Sequence, residues 1–187
     1  MTIEERLENS ELELKSIKEM LAQSQISIKT KEIRANKIVL DDECDINRIT
    51  LLIKNDEPQL YMYDKESRPR VMLGVNKSGP SLDLNDEDGK RAISMVILDK
   101  VGPCLGITDE RGEVRVYLKL DEIGPNLTLC DKSGKMRAYL VVTKAGPALT
   151  LYDENGAERA VLSNADKSDP SFLLNDEKGK IIWRAMK

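Results

Sequence analysis

A column of aspartates is the most regular chemical feature of this 187-residue sequence, with a spacing of 22 or 23 residues. Such a column could hold a ladder of hard cations, but each cation needs several converging oxygens and each copy repeats one carboxylate. In the alternative, each carboxylate accepts backbone N–H groups of its own turn. The pattern favours these turn caps, formed by Asp42, Asp64, Asp86, Asp109, Asp131, Asp153 and Asp176.

Arginine stands six residues after most of these aspartates. We expect the arginines to be cross-strand ion-pair partners on a solvated sheet face rather than an anion site. One copy departs from the column, because Arg91 comes one place early, and the last copy has Ile182 instead. The arginines in the column are Arg48, Arg70, Arg115, Arg137 and Arg159.

The tyrosines and cysteines also fall at defined positions of the repeat. All five tyrosines are expected on the outward face, where flat rings could stack on a glycan or a protein or could be ordinary cross-strand partners. They are Tyr61, Tyr63, Tyr117, Tyr139 and Tyr152. Cys44, Cys104 and Cys130 form no CxxC pair, and we expect free thiols, with Cys104 and Cys130 pointing outward, in a reducing cytoplasm.

The composition argues against catalysis. The chain has no histidine, which removes the commonest general base and metal ligand, and it carries no nucleophile motif, phosphate loop or dinucleotide fingerprint. A two-carboxylate glycosidase needs no histidine, but it needs a cleft and the repeats have no insertion to form one. We therefore expect a non-enzymatic protein with no catalytic, cofactor or metal site.

Charge and hydropathy narrow the partners. The net charge is −4 with both signs interspersed, so no basic face for nucleic acid stands out. No apolar run approaches the roughly 20 residues of a membrane span, and the first residues do not form a signal peptide. We expect an intracellular protein without nucleic-acid or membrane partners.

From residue 36 onward the sequence consists of seven copies of one unit of 22 or 23 residues. Each copy alternates apolar and polar residues up to the aspartate, turns, and alternates again; the turn is Asp-x-x-Gly except in the degenerate first copy and in the second, where Ser67 replaces the glycine. This pattern predicts two strands per copy, fourteen in a meander, with the apolar residues on one face. We expect a proline to end strand pairing between copies. The prolines are Pro58, Pro80, Pro103, Pro125, Pro147 and Pro170.

The N-terminal segment, residues 1–30, has an unbroken heptad seam. The seam has leucine and isoleucine at heptad position a, and isoleucine and serine at position d. This combination favours more than two parallel helices, and a trimer is the simplest arrangement. The alternative is an amphipathic helix packed on its own domain. The seam consists of Ile3, Leu7, Ser10, Leu14, Ile17, Leu21, Ser24 and Ile28.

These parts predict a mainly β protein with one N-terminal helix: a parallel trimeric coiled coil followed by a repeat domain, residues 31–187. A sheet with one apolar face is unstable alone in water, whereas three copies around a threefold axis bury all three faces in a β-prism. The alternative is a single-chain β-solenoid. Phe172 and Trp183, in the last copy, are predicted either to plug the end of the prism or to pack locally.

The motif from Pro125 through Leu127, Leu129, Asp131, Gly134 and Arg137 to Leu140 resembles repeats of uncharacterised bacterial proteins. In architecture the chain is similar to trimeric phage tail-fibre shafts, in which a coiled coil leads into a triple β-structure. The resemblance implies a homotrimeric, fibre-like rod that acts as a spacer or scaffold. The alternative is a module that binds glycan or protein through the tyrosine-bearing face.

Overall fold

A computed structural model describes residues 6, 9–10, 12–16, 32–99, 101–164 and 170–185. The chain divides into two units, Met1–Ala35 and Asn36–Lys187. In the first unit, residues 6, 9–10 and 12–16 are helical. Ser10 and Leu14 of the predicted heptad seam are among the described residues. The rest of the seam lies outside them: Ile3, Leu7, Ile17, Leu21, Ser24 and Ile28.

In the described part of the second unit, the chain forms fourteen β-strands. All are short, and most alternate apolar with polar residues, the sequence pattern of a strand whose two faces differ. The strands are β1 Lys37–Asp41, β2 Asn47–Lys54, β3 Glu57–Tyr63, β4 Pro69–Asn76, β5 Gly79–Asn85, β6 Arg91–Leu98, β7 Gly102–Thr108, β8 Val114–Leu120, β9 Pro125–Cys130, β10 Met136–Thr143, β11 Gly146–Tyr152, β12 Glu158–Ser163, β13 Ser171–Asn175 and β14 Ile181–Ala185.

The fourteen strands form one open antiparallel sheet in which every strand pairs with its neighbours in sequence, from β1 at one edge to β14 at the other. The predicted meander is therefore confirmed. The alternative, a β-solenoid with one repeat per coil, is wrong for this chain, because each Asp-containing turn reverses the strand into a hairpin.

The strand register separates the side chains into two faces. On one, which we call the apolar face, leucines pair directly across strands, as Leu60 does with Leu73 and Leu127 with Leu140. These leucines form a row that crosses the strands along the middle of the apolar face, which we call the central row. A second and a third apolar row lie on either side of it, and one of these contains the prolines. The central row runs through Leu51, Leu60, Leu73, Leu82, Met95, Leu105, Leu118, Leu127, Leu140, Leu149, Leu162 and Phe172.

The opposite side, which we call the polar face, carries threonine, tyrosine, asparagine and arginine side chains. Its central row places Tyr117 opposite Thr128, Thr128 opposite Tyr139, and Tyr139 opposite Thr150. Thr50, Thr150, Asn126 and Asn175 on this face are buried, whereas many leucines of the apolar face are exposed. The single chain thus covers its polar side chains better than its apolar ones.

Each repeat turns at its aspartate through the predicted type I geometry. In the turn after β5, the Gly89 N–H donates to the Asp86 carbonyl and the Asp86 N–H donates to the Lys90 carbonyl. Gly89 has a φ of +77°, and the strand register shifts by one residue beside the turn. A type I turn followed by a left-handed residue and a bulge is a common hairpin connection. Ser67 and Asp45 take the left-handed position in two other repeats.

The expectation that proline ends strand pairing is wrong. Pro80 pairs with Val75, Pro103 with Ile97 and Pro147 with Val142 inside the ladder. The preceding glycine makes the corner instead. Gly124 has a φ of +133°, and a Cβ there would lie 2.0 Å from the Val142 carbonyl oxygen of the strand β10.

Phe172 and Trp183 both lie on the apolar face, as the alternation predicts, since Phe172 pairs with Ala185 and Leu174 with Trp183. Their rings meet edge to face with centroids 5.5 Å apart. Both rings remain partly exposed. This contact fits local packing, and a role in closing the end of a trimer stays a prediction.

The two kinds of positive-φ glycine should respond differently to the same substitution. Asparagine tolerates the left-handed region, and a Cβ at Gly89 meets nothing within 4 Å. We expect Gly89→Asn to lower the free energy of unfolding by less than about 1 kcal/mol and Gly124→Asn by about 2–4 kcal/mol, from strain plus a backbone clash. Urea unfolding followed by circular dichroism measures both. Equal losses would contradict the assignment of Gly124 to the corner.

Candidate functional site

The aspartate column forms turn caps, as expected. In each of the seven repeats, one carboxylate oxygen accepts the backbone N–H groups two and four residues further on. Asp131, for example, accepts from Ser133 at 2.8 Å and from Lys135 at 3.2 Å. Within the described residues, no group of three or more histidine, cysteine, aspartate or glutamate side chains is placed to hold a metal ion. The aspartates therefore position the hairpins.

The second carboxylate oxygen binds the arginine of the same repeat, and that arginine also reaches the next hairpin. The Arg137 Nη1 lies 3.2 Å from Asp131 Oδ2, while its Nε donates to the Tyr152 carbonyl oxygen at 3.0 Å. The same pair of contacts, which we call the arginine clasp, recurs at Arg70, Arg115 and Arg159. Each clasp joins two consecutive repeats on the polar face.

These contacts lower the pKa of the aspartates. At Asp131, the Ser133 hydroxyl and N–H, assisted by Arg137, hold the pKa well below its usual 3.8. At Asp64, partial burial raises the pKa, but the N–H and guanidinium groups of Arg68 outweigh it and bring the value to about 2. Donors that favour the charged form account for both shifts.

The third repeat breaks the pattern. Its arginine, Arg91, pairs with Asp83 in the middle of β5, Nε to Oδ1 3.5 Å, instead of with the turn aspartate. The Ser94 hydroxyl donates to the same Asp83 oxygen at 2.5 Å. In the central row of the polar face, the other repeats carry Val, Tyr, Gly, Thr or Leu at the position of Asp83. Asp83 is therefore the one carboxylate in this central row among the described strands.

The five predicted tyrosines all lie on the polar face, but they are half-buried and do not form one surface. Tyr61 and Tyr63 stack on each other, with ring centroids 6.1 Å apart and planes at 19°. Tyr117 and Tyr139 flank Thr128 several strands away, and the Tyr152 carbonyl oxygen receives the clasp of Arg137. Tyr61 and Tyr63 are in ring contact, and ligand binding by any of the five stays a prediction.

Cys104 lies on the polar face as predicted, but it is buried, with 7% of its surface exposed. The Tyr117 hydroxyl donates to its sulfur at 3.3 Å, and this contact, together with burial, raises the pKa of Tyr117 to about 12. Sequence alternation predicts the face on which a side chain lies, but not how far neighbouring side chains extend over it. Here the Tyr117 side chain contacts the Cys104 sulfur and shields it from solvent. All three cysteines are free thiols.

Two concave regions accompany these features. On the polar face, a cavity of about 240 Å³ lies beside Tyr61, Gly74, Asp83 and Arg91. On the apolar face, a trough of about 640 Å³ runs from β4 to β9 along the leucine and proline rows, lined in part by Leu73, Leu82, Leu105 and Leu118. Sequence reasoning missed the polar cavity, although the misplaced Arg91 and the strand glycine Gly74 were available signals.

Among the described residues, no helix has the length and apolar character needed to cross a bilayer.

Comparison with known proteins adds little. No protein-family model and no curated protein matches the chain. Among solved structures, the chain is similar to a mutant of the S. aureus protein TarM in complex with fondaparinux, α-GlcNAc-glycerol and UDP, at 17% identity and a TM-score of 0.35. The match covers 75% of this chain and 23% of that chain. A TM-score of this size carries no argument about fold or function.

The lowered aspartate pKa values predict the acid sensitivity of the fold. Because Asp131 has a lower pKa folded than unfolded, its stabilising contribution is present above the unfolded value near 3.8 and is lost as the pH falls toward the folded value. We expect the melting temperature to fall between about pH 5 and pH 2, and to fall less in Asp131→Asn. Thermal unfolding followed by circular dichroism gives both profiles.

The control for this experiment is Asp88→Asn, an exposed carboxylate within another Asp-x-x-Gly turn. It should keep the acid sensitivity of the unsubstituted chain. The same loss of acid sensitivity in both variants would contradict the role of the cap and clasp.

Proposed function

We propose that the protein is a non-enzymatic structural scaffold: a homotrimeric, fibre-like rod in which three copies bury their apolar faces against one another. The observation that supports this most strongly is the apolar face itself. It presents three continuous rows of aliphatic side chains across an open sheet of fourteen strands. The free thiols are consistent with a reducing cytoplasm as its location.

The exposure of the central row argues that a single chain is incomplete. Leu118 is 47% exposed and Leu140 is 45% exposed, and their neighbours on alternate strands are similarly open. Soluble monomers rarely expose contiguous apolar patches beyond a few hundred Å². With strands about 4.8 Å apart and residues of one face about 6.8 Å apart along a strand, the three rows cover on the order of 900 Å².

An area of this size suffices for a stable assembly. A standard specific interface buries about 800 Å² on each partner, and interfaces of permanent oligomers are the more apolar ones. Charged side chains are rare in the three rows and are collected in the turns and on the polar face. A second copy of the same face is therefore the best chemical match for the apolar rows.

The number of copies and their direction rest on the heptad seam of residues 1–30. The seam favours parallel helices in more than two copies, and parallel helices would deliver repeat domains that run in the same direction. Three faces around one axis also cover each apolar face with two others. A trimer satisfies both requirements with one symmetry.

A charge in the central apolar row should break the assembly. We expect Leu140→Asp to lower the trimer fraction at least tenfold at micromolar concentration, because each trimer would bury three carboxylates without partners. Native mass spectrometry at several concentrations measures the fraction.

The matched control is Thr128→Asp, a half-buried position opposite Tyr139 on the polar face. It should leave the trimer fraction unchanged. A Leu140→Asp chain that still assembles like the unsubstituted protein would refute burial of this face.

The helix should contribute to assembly as well. We expect deletion of residues 1–28 to weaken the trimer more than Arg115→Ala, a change on the polar face, because the deletion removes the seam that aligns three chains. Dissociation on dilution, followed by fluorescence of labelled chains, compares the two. Unchanged trimer stability after the deletion would remove the helix from the account.

A further inference from the structure

The cavity on the polar face lies where the second and third repeats meet, beside the arginine that stands outside the column, Arg91. The residues responsible come from consecutive strands, with Gln59 and Tyr61 on β3, Gly74 on β4 and Asp83 on β5. In the pairing register Gln59 faces Gly74, and Met72 faces both Tyr61 and Asp83. Because these strands are adjacent, the groups surround one concavity of about 240 Å³.

Gly74 leaves the floor of the cavity open. A Cβ at this position would meet the Pro58 carbonyl oxygen at 3.4 Å and Gln59 Cγ at 3.5 Å, ordinary contact distances. The residue is not among the glycines with positive φ, so the backbone does not require glycine here. The missing side chain therefore creates space on the polar face and does not serve a turn.

Tyr61 supplies an aromatic wall held in a fixed orientation. Tyr63 stacks on it, and the Tyr61 hydroxyl donates to Gln59 Oε1 at 2.8 Å. Tyr61 lines the cavity. An aromatic ring held from one side and by its hydroxyl offers a flat apolar surface to a ligand at little entropic cost.

The polar groups around the ring include both acceptors and donors. Ser94 and Arg91 contact Asp83 Oδ1, so Oδ2 can accept a hydrogen bond from a ligand. The Gln59 amide has its oxygen engaged by Tyr61, which leaves its NH₂ group to donate. The Arg91 side chain, 61% exposed, offers further N–H donors.

This combination selects among ligand classes. A simple anion would meet Arg91 but also the carboxylate of Asp83 at the same place. A purely apolar molecule would cover Asp83 and Gln59 without pairing them, which costs free energy. A ring with hydroxyl groups on its edge and an apolar C–H face satisfies the acceptor, the donors and Tyr61 together. The volume is below the roughly 300 Å³ at which drug-sized sites begin, so it suits one ring.

We propose that this cavity is a binding site for a single sugar ring, stacked on Tyr61 and hydrogen-bonded by Asp83, Gln59 and Arg91. Of the five tyrosines expected to bind a ligand, Tyr61 contacts the sugar in this proposal, whereas Tyr117, Tyr139 and Tyr152 do not belong to the site. It goes beyond the scaffold and does not depend on the trimer, because it opens on the face opposite the apolar rows. A rod with this site would carry a sugar-binding position on each chain.

The test is saturation-transfer NMR on the full chain with four probes: methyl β-D-galactopyranoside, methyl β-D-glucopyranoside, N-acetylglucosamine, and glycerol as a hydroxylated molecule without a ring. Affinity for at least one ring sugar is expected near millimolar, since the contact area is small. Glycerol should give no transfer. Phosphate, observed by ³¹P line width, tests whether Arg91 binds a simple anion instead.

Three variants locate the binding. Gly74→Leu fills the cavity and Asp83→Asn removes the carboxylate, and each should weaken sugar binding at least tenfold. Tyr139→Ala, on the same face but remote from the cavity, should bind like the unsubstituted chain. Native mass spectrometry of the same samples shows whether assembly has changed, so failure of the site and failure of the scaffold are distinguishable.

The proposal is overturned by transfer to none of the ring sugars, by phosphate binding without sugar binding, or by sugar binding that survives both Gly74→Leu and Asp83→Asn. Loss of binding in Asp83→Asn at unchanged mass, with Tyr139→Ala unaffected, supports it even if Gly74→Leu folds poorly.

Discussion

The apolar rows on one side of an open sheet set the conditions for the rest of this molecule. Strict alternation in antiparallel strands sends every second side chain to the same face, and a meander of fourteen strands that does not close leaves that face uncovered. Hydrophobic side chains stabilise a structure only when another surface covers them and removes them from water. Among the described residues of Asn36–Lys187, the single sheet has no second layer over the rows, and a second copy of the chain is the cover that we propose.

The contacts on the polar face help to keep the fourteen short strands in register. Capped aspartates fix each turn, and the clasps of Arg70, Arg115, Arg137 and Arg159 tie four of the hairpins to the next one. An arginine that contacts both a carboxylate and a backbone carbonyl oxygen is held more firmly than an arginine in an isolated surface ion pair. Beside Arg91, which leaves the column, and Gly74, which has no side chain, the polar face opens into a cavity between the second and third repeats.

Much of this fold could be predicted from the sequence, because repetition makes local patterns mutually consistent. The meander, the two faces, and the aspartate caps follow from period-2 alternation and from Asp-x-x-Gly. The position of Pro80 inside the ladder could not be predicted from the sequence pattern, because the chain turns at the preceding glycine, Gly79, and not at the proline. The burial of Cys104 and the cavity beside Tyr61 depend on neighbours across strands, which one repeat read alone does not reveal.

The account is tested most directly by the mass of the unsubstituted chain in solution, from sedimentation equilibrium at micromolar concentration. Burial of the apolar face in a trimer predicts a mass three times that of the 21.0 kDa chain, held constant over a tenfold dilution. A mass of 21.0 kDa under these conditions would mean that the leucine rows remain in water and would contradict the central claim.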